Sequence, residues 1–424
     1  MRFLEQRGLT WSGLVTLLIN NFRESGMRVT LKKAVAQLGR SDVNFDIDRY
    51  QSWFDRYDTD GCRPAASLFE SASVVIVGAL DIPQCKKYRV MQKVEFFSRR
   101  NISCTHAEYR DLTRSFSLMQ LATVVIFYRL PAGLQADALI GEAKRLGLKM
   151  YYDIDDPIFD HDAYSENSNL KSLAASERNY LLAQIPSYKA LMGEVGRLIV
   201  STVGMRDLAE RTIGPETEVL VWPNLIDSAT RSAFEQLPPA VKKDEATVTL
   251  GYFSGSRAHD HDLEVIAPVL SSLLQIYPQL QLCFGGYTVL PNSLADFSSR
   301  IRVIGFMSYP AYLDNLRSTD INLVPLLMDK FNQCKSGIRY LEASLCGVPT
   351  VASRVGQFTE MIASGETGYL CATTEQWQES LTALIDDAAL RKTIGSSAQC
   401  LVNERYDLLS ADFSHLAEVA SNAS

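Results

Sequence analysis

The densest run of chemically capable side chains is 332–342, Asn-Gln-Cys-Lys-Ser-Gly-Ile-Arg-Tyr-Leu-Glu. It follows a short apolar stretch at 321–324 that reads as a strand, and it opens a stretch of helical spacing. Lys335 and Ser336 therefore stand where a helix begins, and a cation beside helix-start amides attracts phosphate. Lys335, Arg339 and Glu342 fall at i, i+4 and i+7, which predicts one shared helix face. A solvated, salt-bridged face satisfies the same spacing, but Ala343, Leu345, Val348 and Val351 predict a half-buried segment. A second place is 251–257, where a strand runs into the turn Gly255-Ser256-Arg257 ahead of a helix. A short Gly-Ser loop suits phosphate and suits a plain tight turn. A third is the cluster Asp155, Asp156 and Asp160 with His161, after a strand at 149–154. Three carboxylates could bind a metal, and closely spaced ones also cap helices and form turns. His161 could act as a base, although a lone histidine is more often structural. Arg89 and Arg129 either meet an anionic ligand or pair with the acidic cluster.

These residues need strands and helices to hold them, and the chain supplies both in alternation. Short β-branched runs at 73–80, 123–128, 149–154 and 197–201 read as strands buried on both faces. Helical stretches at 88–100, 135–147, 176–194 and 204–212 separate them, which predicts right-handed βαβ units on a parallel sheet. After 219–227 comes a polar stretch with Pro238-Pro239 and Lys242-Lys243-Asp244-Glu245, read as a linker over 226–246. Strands at 248–253, 280–284, 301–304, 321–324 and 350–353 then alternate with helices at 262–276, 309–317 and 335–346. Helices at 375–386, 388–403 and 410–420 close the chain. The expected fold is α/β: two Rossmann-like, doubly wound domains, 71–225 and 247–405, facing a cleft, with a C-terminal helix in 406–424.

The first 70 residues read as a helical extension. Residues 1–40 carry Arg2, Arg7, Arg23, Arg28, Lys32, Lys33 and Arg40 against Glu5 and Glu24, with Leu14, Leu17, Leu18 and Phe22 at helical spacing. Such a basic amphipathic stretch suits contact with a membrane surface and equally suits packing on the first domain. Thr10, Ser12 and Gly13 interrupt its apolar stretch and no small-residue cleavage site follows, so a cytoplasmic protein, at most touching the inner face of a membrane, is expected. Forty-two basic against 49 acidic residues give −7, which argues against nucleic acid as a partner. The eight cysteines (62, 85, 104, 283, 334, 346, 371, 400) form no C-x-x-C pair, so they read as reduced thiols and not as a zinc site or disulfide framework.

The run from Lys335-Ser336 through Leu341-Glu342-Ala343 to Ser353 resembles the donor-site stretch of retaining GT-B glycosyltransferases of the family-4 type. Gly365-Glu366-Thr367-Gly368 is similar to the Gly-x-x-Gly turn that follows it there, and Trp222-Pro223-Asn224-Leu225-Ile226-Asp227 to their Pro-Asn-Gly-x-Asp connection. Gly255 with His259 and Asp262, and Gln84-Cys85, Tyr88-Arg89, Tyr128-Arg129 and Tyr152-Asp153-Ile154-Asp155-Asp156, resemble a bacterial surface-polysaccharide subgroup. The resemblance covers about residues 73–405.

It implies a transferase that moves a hexose or deoxyhexose from a nucleotide sugar to a growing polysaccharide or lipid-linked glycan, with retention and without cofactor or metal. Lys335 and Ser336 would hold the diphosphate, with Lys335, Arg257 and Asp155 as the catalytic residues; Gly255, Ser256, Gly337 and Arg339 would join in binding the donor, and Glu342 would accept the ribose hydroxyls. Asp155 and Asp156 would hydrogen-bond acceptor sugar hydroxyls, with Arg89, Arg129 and His161 on the acceptor side. The chain departs from the family pattern at Cys334, where the first Glu of Glu-x7-Glu is expected, at Ser256 in place of Arg and at His261 in place of Lys. Those departures leave open a different reading, an inactive scaffold that binds sugar nucleotide or glycan.

Overall fold

A computed structural model describes residues 73–167, 170, 173–239, 246–254, 260–286, 288, 290–409 and 412–420. All of them lie within one compact unit, Ala65–Ser424. The expected helical extension at 1–70 lies outside the described residues, as do residues 255–259.

The first sheet contains β1 (Ser73–Gly78), β2 (Ser103–Glu108), β3 (Val124–Tyr128), β4 (Lys149–Ile154), β5 (Arg197–Val200) and β6 (Glu218–Val221). Their spatial order is β2-β1-β3-β4-β5-β6, with parallel pairing throughout. The second sheet contains β7 (Val248–Ser254), β8 (Leu280–Gly286), β9 (Ile301–Ile304), β10 (Ile321–Val324), β11 (Thr350–Ser353) and β12 (Tyr369–Cys371). Read from the β9 edge it runs β9-β8-β7-β10-β11-β12, again all parallel. That is the doubly wound 3-2-1-4-5-6 order, and it places the topological switch between β7 and β10. In the first sheet the switch lies between β1 and β3. The central strands β1, β3 and β10 are buried almost end to end, as strands covered by helices on both faces must be.

Several elements differ from the sequence expectation. β2 carries only alternating burial at the sheet edge, so no continuous apolar run marks it. Part of the expected linker is the helix Ser228–Glu235, capped by Asp227, whose Oδ1 accepts from Thr230 N at 2.7 Å. The stretch 176–194 is two helices, Ala175–Ala183 and Ile185–Val195, broken at Gln184 ahead of Pro186. The first-domain helix over 83–98 contains a wide π turn at Lys86–Met91 that buries Tyr88 and Arg89.

The chain crosses between domains twice. Trp222, Leu225, Leu408, Leu416, Val419 and Ala420 join one apolar core with Val74, Ile76 and Tyr128. The C-terminal segment thus returns from the second domain to cover the first. Beside that return Ile226 bridges Asp407, and Arg231 binds the Asp407 carboxylate.

Candidate active site

The segment after β10 leaves the sheet at the switch point, where ligands of doubly wound sheets bind. It makes a short 3-10 turn, Asn332–Cys334, then an extended residue, Lys335, and enters the helix Ile338–Leu345. Lys335 therefore precedes the helix, and the expected shared face of Lys335, Arg339 and Glu342 does not form. The extended backbone aims Lys335 at the first domain, where its Nζ lies 2.8 Å from Asp156 Oδ1 and 4.5 Å from the Phe331 ring centre. Ser336 Oγ accepts a hydrogen bond from Asn224 Nδ2 at 3.0 Å. Gly337 lets Met361 pack close: a Cβ there would lie 2.3 Å from Met361 Sδ and the methionine would have to move. Its amide donates to Gln357 Oε1 at 2.9 Å, so that N–H already has a protein acceptor. Arg339 stands 5.8 Å from the Tyr252 ring centre, and its Nη1 is buried with no hydrogen-bond partner among the described residues.

Glu342 is 5% exposed and receives three phenol hydroxyls. Tyr88, from the first domain, donates to Oε1 at 2.5 Å, Tyr309 to Oε1 at 2.9 Å and Tyr312 to Oε2 at 2.7 Å. Burial and then the charge of Glu342 push the Tyr88 and Tyr312 phenols well above their ordinary value, which keeps both protonated as donors. Three of the carboxylate's roughly four acceptor positions are thus taken, so a vicinal diol would reach Glu342 only by displacing phenol donors. Tyr309 and Tyr312 carried no signal in the sequence beyond their i, i+3 spacing, and Tyr88 is brought to Glu342 only by the π turn.

The first domain offers the other wall. Arg129 follows β3 with a left-handed φ of 43°, uncommon for a residue with a side chain, and its guanidinium binds two carboxylates. Nε donates to Asp155 Oδ1 at 2.7 Å, and Nη2 binds Asp156 Oδ2. Tyr128 Oη also donates to Asp155, at 3.2 Å. Burial alone would raise the Asp156 carboxyl, but the charges of Lys335 and Arg129 overcome it and hold it well below the usual carboxylate range. Asp160 caps the helix His161–Glu166 through Ala163 N at 2.8 Å. His161 opens that helix with a side chain 69% exposed beside Asp162. Among the described residues no group of three His, Cys, Asp or Glu side chains could hold a metal ion.

Arg89 requires a correction. It was expected on the acceptor side, but it is 0% exposed and its donors are engaged internally. Nε and Nη2 bind Asp153 Oδ1 at 3.0 and 2.9 Å, and Nη1 binds the Trp222 carbonyl at 2.6 Å. A fully buried, fully bonded guanidinium cannot meet an acceptor. Cys334 is buried against the first domain. It is 3% exposed, its thiol donates to the Gly204 carbonyl at 3.7 Å, and burial pushes that thiol up to about 12. Gly204 admits this approach, since a Cβ there would meet the Gln333 carbonyl oxygen at 2.4 Å. Gly255, Ser256 and Arg257 lie outside the described residues. Asp262, buried, accepts from Leu327 N at 3.2 Å and so anchors the loop after β10.

Residues 247–387 match the family model of Glycosyl transferases group 1. D-inositol 3-phosphate glycosyltransferase of Arthrobacter sp. is 38% identical over 84 residues, 19% of this chain and 19% of that protein. Glycogen synthase of Mycobacterium tuberculosis is 23% identical over 226 residues, 51% of this chain and 52% of that protein. The chain thus spans about half or less of the length of these curated relatives. Among solved structures, sucrose-phosphate synthase from Thermosynechococcus elongatus aligns with a TM-score of 0.55 at 13% identity, over 79% of this chain and 95% of that one. Anabaena HepE in complex with UDP-glucose aligns with a TM-score of 0.53 at 15% identity, over 82% of this chain and 98% of that one. The fold is GT-B, with two Rossmann-like domains on either side of a cleft.

Proposed function

We propose that this GT-B chain is a retaining, metal-independent glycosyltransferase that moves a sugar from a nucleotide donor onto a growing glycan or lipid-linked acceptor in the cytoplasm. The observation that carries the reading is one segment holding two complementary recognition groups. Lys335 is paired with a carboxylate and Glu342 with hydroxyls, the chemistry of a diphosphate and of a ribose diol. The likeness to a UDP-glucose-bound GT-B structure and the group 1 match over 247–387 support it.

As the glycosidic bond to the diphosphate breaks, negative charge grows on the leaving oxygen. Lys335, the Ser336 hydroxyl and the first-turn amides of the helix Ile338–Leu345 would stabilise that charge without a metal. The leaving phosphate would take the acceptor's proton on the same face, so no enzymic nucleophile is needed. Arg257, which lies outside the described residues, would add a second cation, and Asp155 would orient the acceptor sugar. Asp155 and Asp156 are already neutralised by Arg129 and Lys335, which favours this use of them over a metal site.

Transfer or donor hydrolysis with a panel of nucleotide sugars tests the proposal. Release of nucleoside diphosphate that requires both a donor and a glycan acceptor is the expected result. Tight binding of a nucleotide sugar with no turnover would instead favour the inactive scaffold, the reading that Cys334 at the family's glutamate position supports.

A further inference from the structure

A polar relay runs from the buried core of the first domain to Ser336, and nothing in the proposed chemistry accounts for it. Arg89 binds Asp153 through Nε and Nη2, and its Nη1 also donates to Asn224 Oδ1 at 3.1 Å. Lys93, one turn on, lies 2.5 Å from Asp153 Oδ2 and 4.9 Å from the Trp222 ring centre. Arg89, Lys93 and Asp153 are each 0% exposed, so two cations share one carboxylate and the cluster keeps a net positive charge.

That cluster fixes the chemistry of Asn224. A guanidinium has only donors, so the Asn224 atom facing Arg89 must be its oxygen. The amide nitrogen is thereby turned outward, and it reaches Ser336 Oγ at 3.0 Å. Asn224 is itself 4% exposed and sits in the first crossing between the domains. Gln92, on the same helix face, pins that crossing from both sides. Its Nε2 donates to the Leu225 carbonyl at 2.6 Å, and its Oε1 accepts from Leu225 N at 3.0 Å.

We infer that Asn224 and Arg89 are positioning residues that fix the polarity of Ser336. A serine hydroxyl can accept or donate. With one lone pair of Oγ taken by Asn224, the Ser336 proton is left to point at an anion. The inference rests on the reading that Ser336 touches the donor diphosphate. It adds that the first domain sets this hydroxyl's orientation through the interdomain crossing.

Asn224→Asp tests it. The new carboxylate still accepts from Arg89 but cannot donate to Ser336, so the serine proton turns toward the carboxylate and away from the ligand. The probe is whichever of UDP, GDP and ADP binds the unmodified protein, measured beside its nucleoside. Asn224→Asp is expected to weaken the diphosphate about tenfold, the scale of one lost charge-assisted hydrogen bond, and to leave the nucleoside unchanged. In a Ser336→Ala background the same change is expected to have a clearly smaller effect, the part that the added charge alone contributes.

Equal weakening of nucleoside and diphosphate, or an undiminished effect in the Ser336→Ala background, would overturn the positioning role in favour of a purely structural one. Ser336→Ala with unaltered diphosphate affinity would instead overturn the placement of the diphosphate itself. If Asn224→Asp does not fold, Asn224→Ala removes the donor without adding charge. It is then expected to give a smaller loss, again confined to the diphosphate, and a loss shared by the nucleoside would refute the role.

Discussion

Lys335 Nζ in the second domain lies 2.8 Å from Asp156 Oδ1 in the first, across 179 residues of sequence. Asp156 also binds Arg129, so one carboxylate joins a cation from each domain. Lys335 is 23% exposed and Asp156 25%, which leaves the pair within reach of a ligand and partly screened by solvent. An anionic ligand that uses Lys335 therefore competes with Asp156 for the ammonium's charge.

The first prediction follows from that competition. Asp156→Asn removes the competing charge, and it is expected to tighten nucleoside diphosphate binding several-fold at low salt, the gain shrinking as salt rises. Lys335→Ala is expected to lower turnover by about 100-fold, as the loss of one oxyanion donor does. Calorimetric titration of both variants checks this. Weaker diphosphate binding in Asp156→Asn would mean that Asp156 helps the ligand and does not compete with it.

The second prediction concerns Glu342. Removing its carboxylate strands the buried hydroxyls of Tyr88, Tyr309 and Tyr312, so Glu342→Ala should lower stability by about 1–3 kcal/mol. More specifically, it should abolish discrimination between a ribonucleotide and its 2′-deoxy counterpart. Binding of the two nucleotides to the unmodified protein and to the variant is the measurement. A preference for ribose that survives the substitution would remove Glu342 from the ribose site.

The two sheets were legible because strands covered on both faces leave short runs rich in large apolar residues, as in Val124–Tyr128 and, around Asn322, Ile321–Val324. β2 was not, since its exposed Ser103 and Thr105 alternate with half-buried Cys104 and His106, as an edge strand's residues do. Lys335, Ser336 and Glu342 were legible as a chemical set because strand, turn and helix start follow one another in sequence. Their partners were not. Asp156, Tyr88 and Asn224 reach them only by tertiary folding over separations of 179, 254 and 112 residues. Arg89 misled because a sequence carries no sign that a π turn will bury an arginine. The same ambiguity applied to Cys334, whose contact with Gly204 depends on how the two domains meet.

The third prediction is that activity survives a chelator. Asp155 and Asp156 meet Arg129 and Lys335, and a divalent cation entering there would have to displace two guanidinium contacts and one ammonium. Transfer assays with and without EDTA are expected to give equal rates. Loss of rate that is restored by added divalent cation would make these carboxylates metal ligands.

The fourth prediction follows from Lys93. Its ammonium is buried with Arg89 and Asp153, and burial first, then the Arg89 charge, lower it from 10.5 to about 8. The unfolded chain keeps that proton up to the ordinary lysine value. Between about 8 and 10.5 unfolding therefore takes up a proton, and stability contributed by this group rises with pH. The contribution is complete above 10.5 and is lost as pH falls through about 8. Lys93→Met removes the titrating group while keeping a long apolar side chain against Trp222. Urea unfolding of both proteins at about pH 8, 9 and 10 is expected to show the unmodified protein gaining on the variant by about 1 kcal/mol per pH unit. A difference that stays flat across this range would show that Asp153 holds Lys93 at or above its ordinary value. A lysine raised above 10.5 would leave the difference equally flat, because its effect begins only above that value, so a flat difference sinks the idea of a strained cation at the foot of the relay.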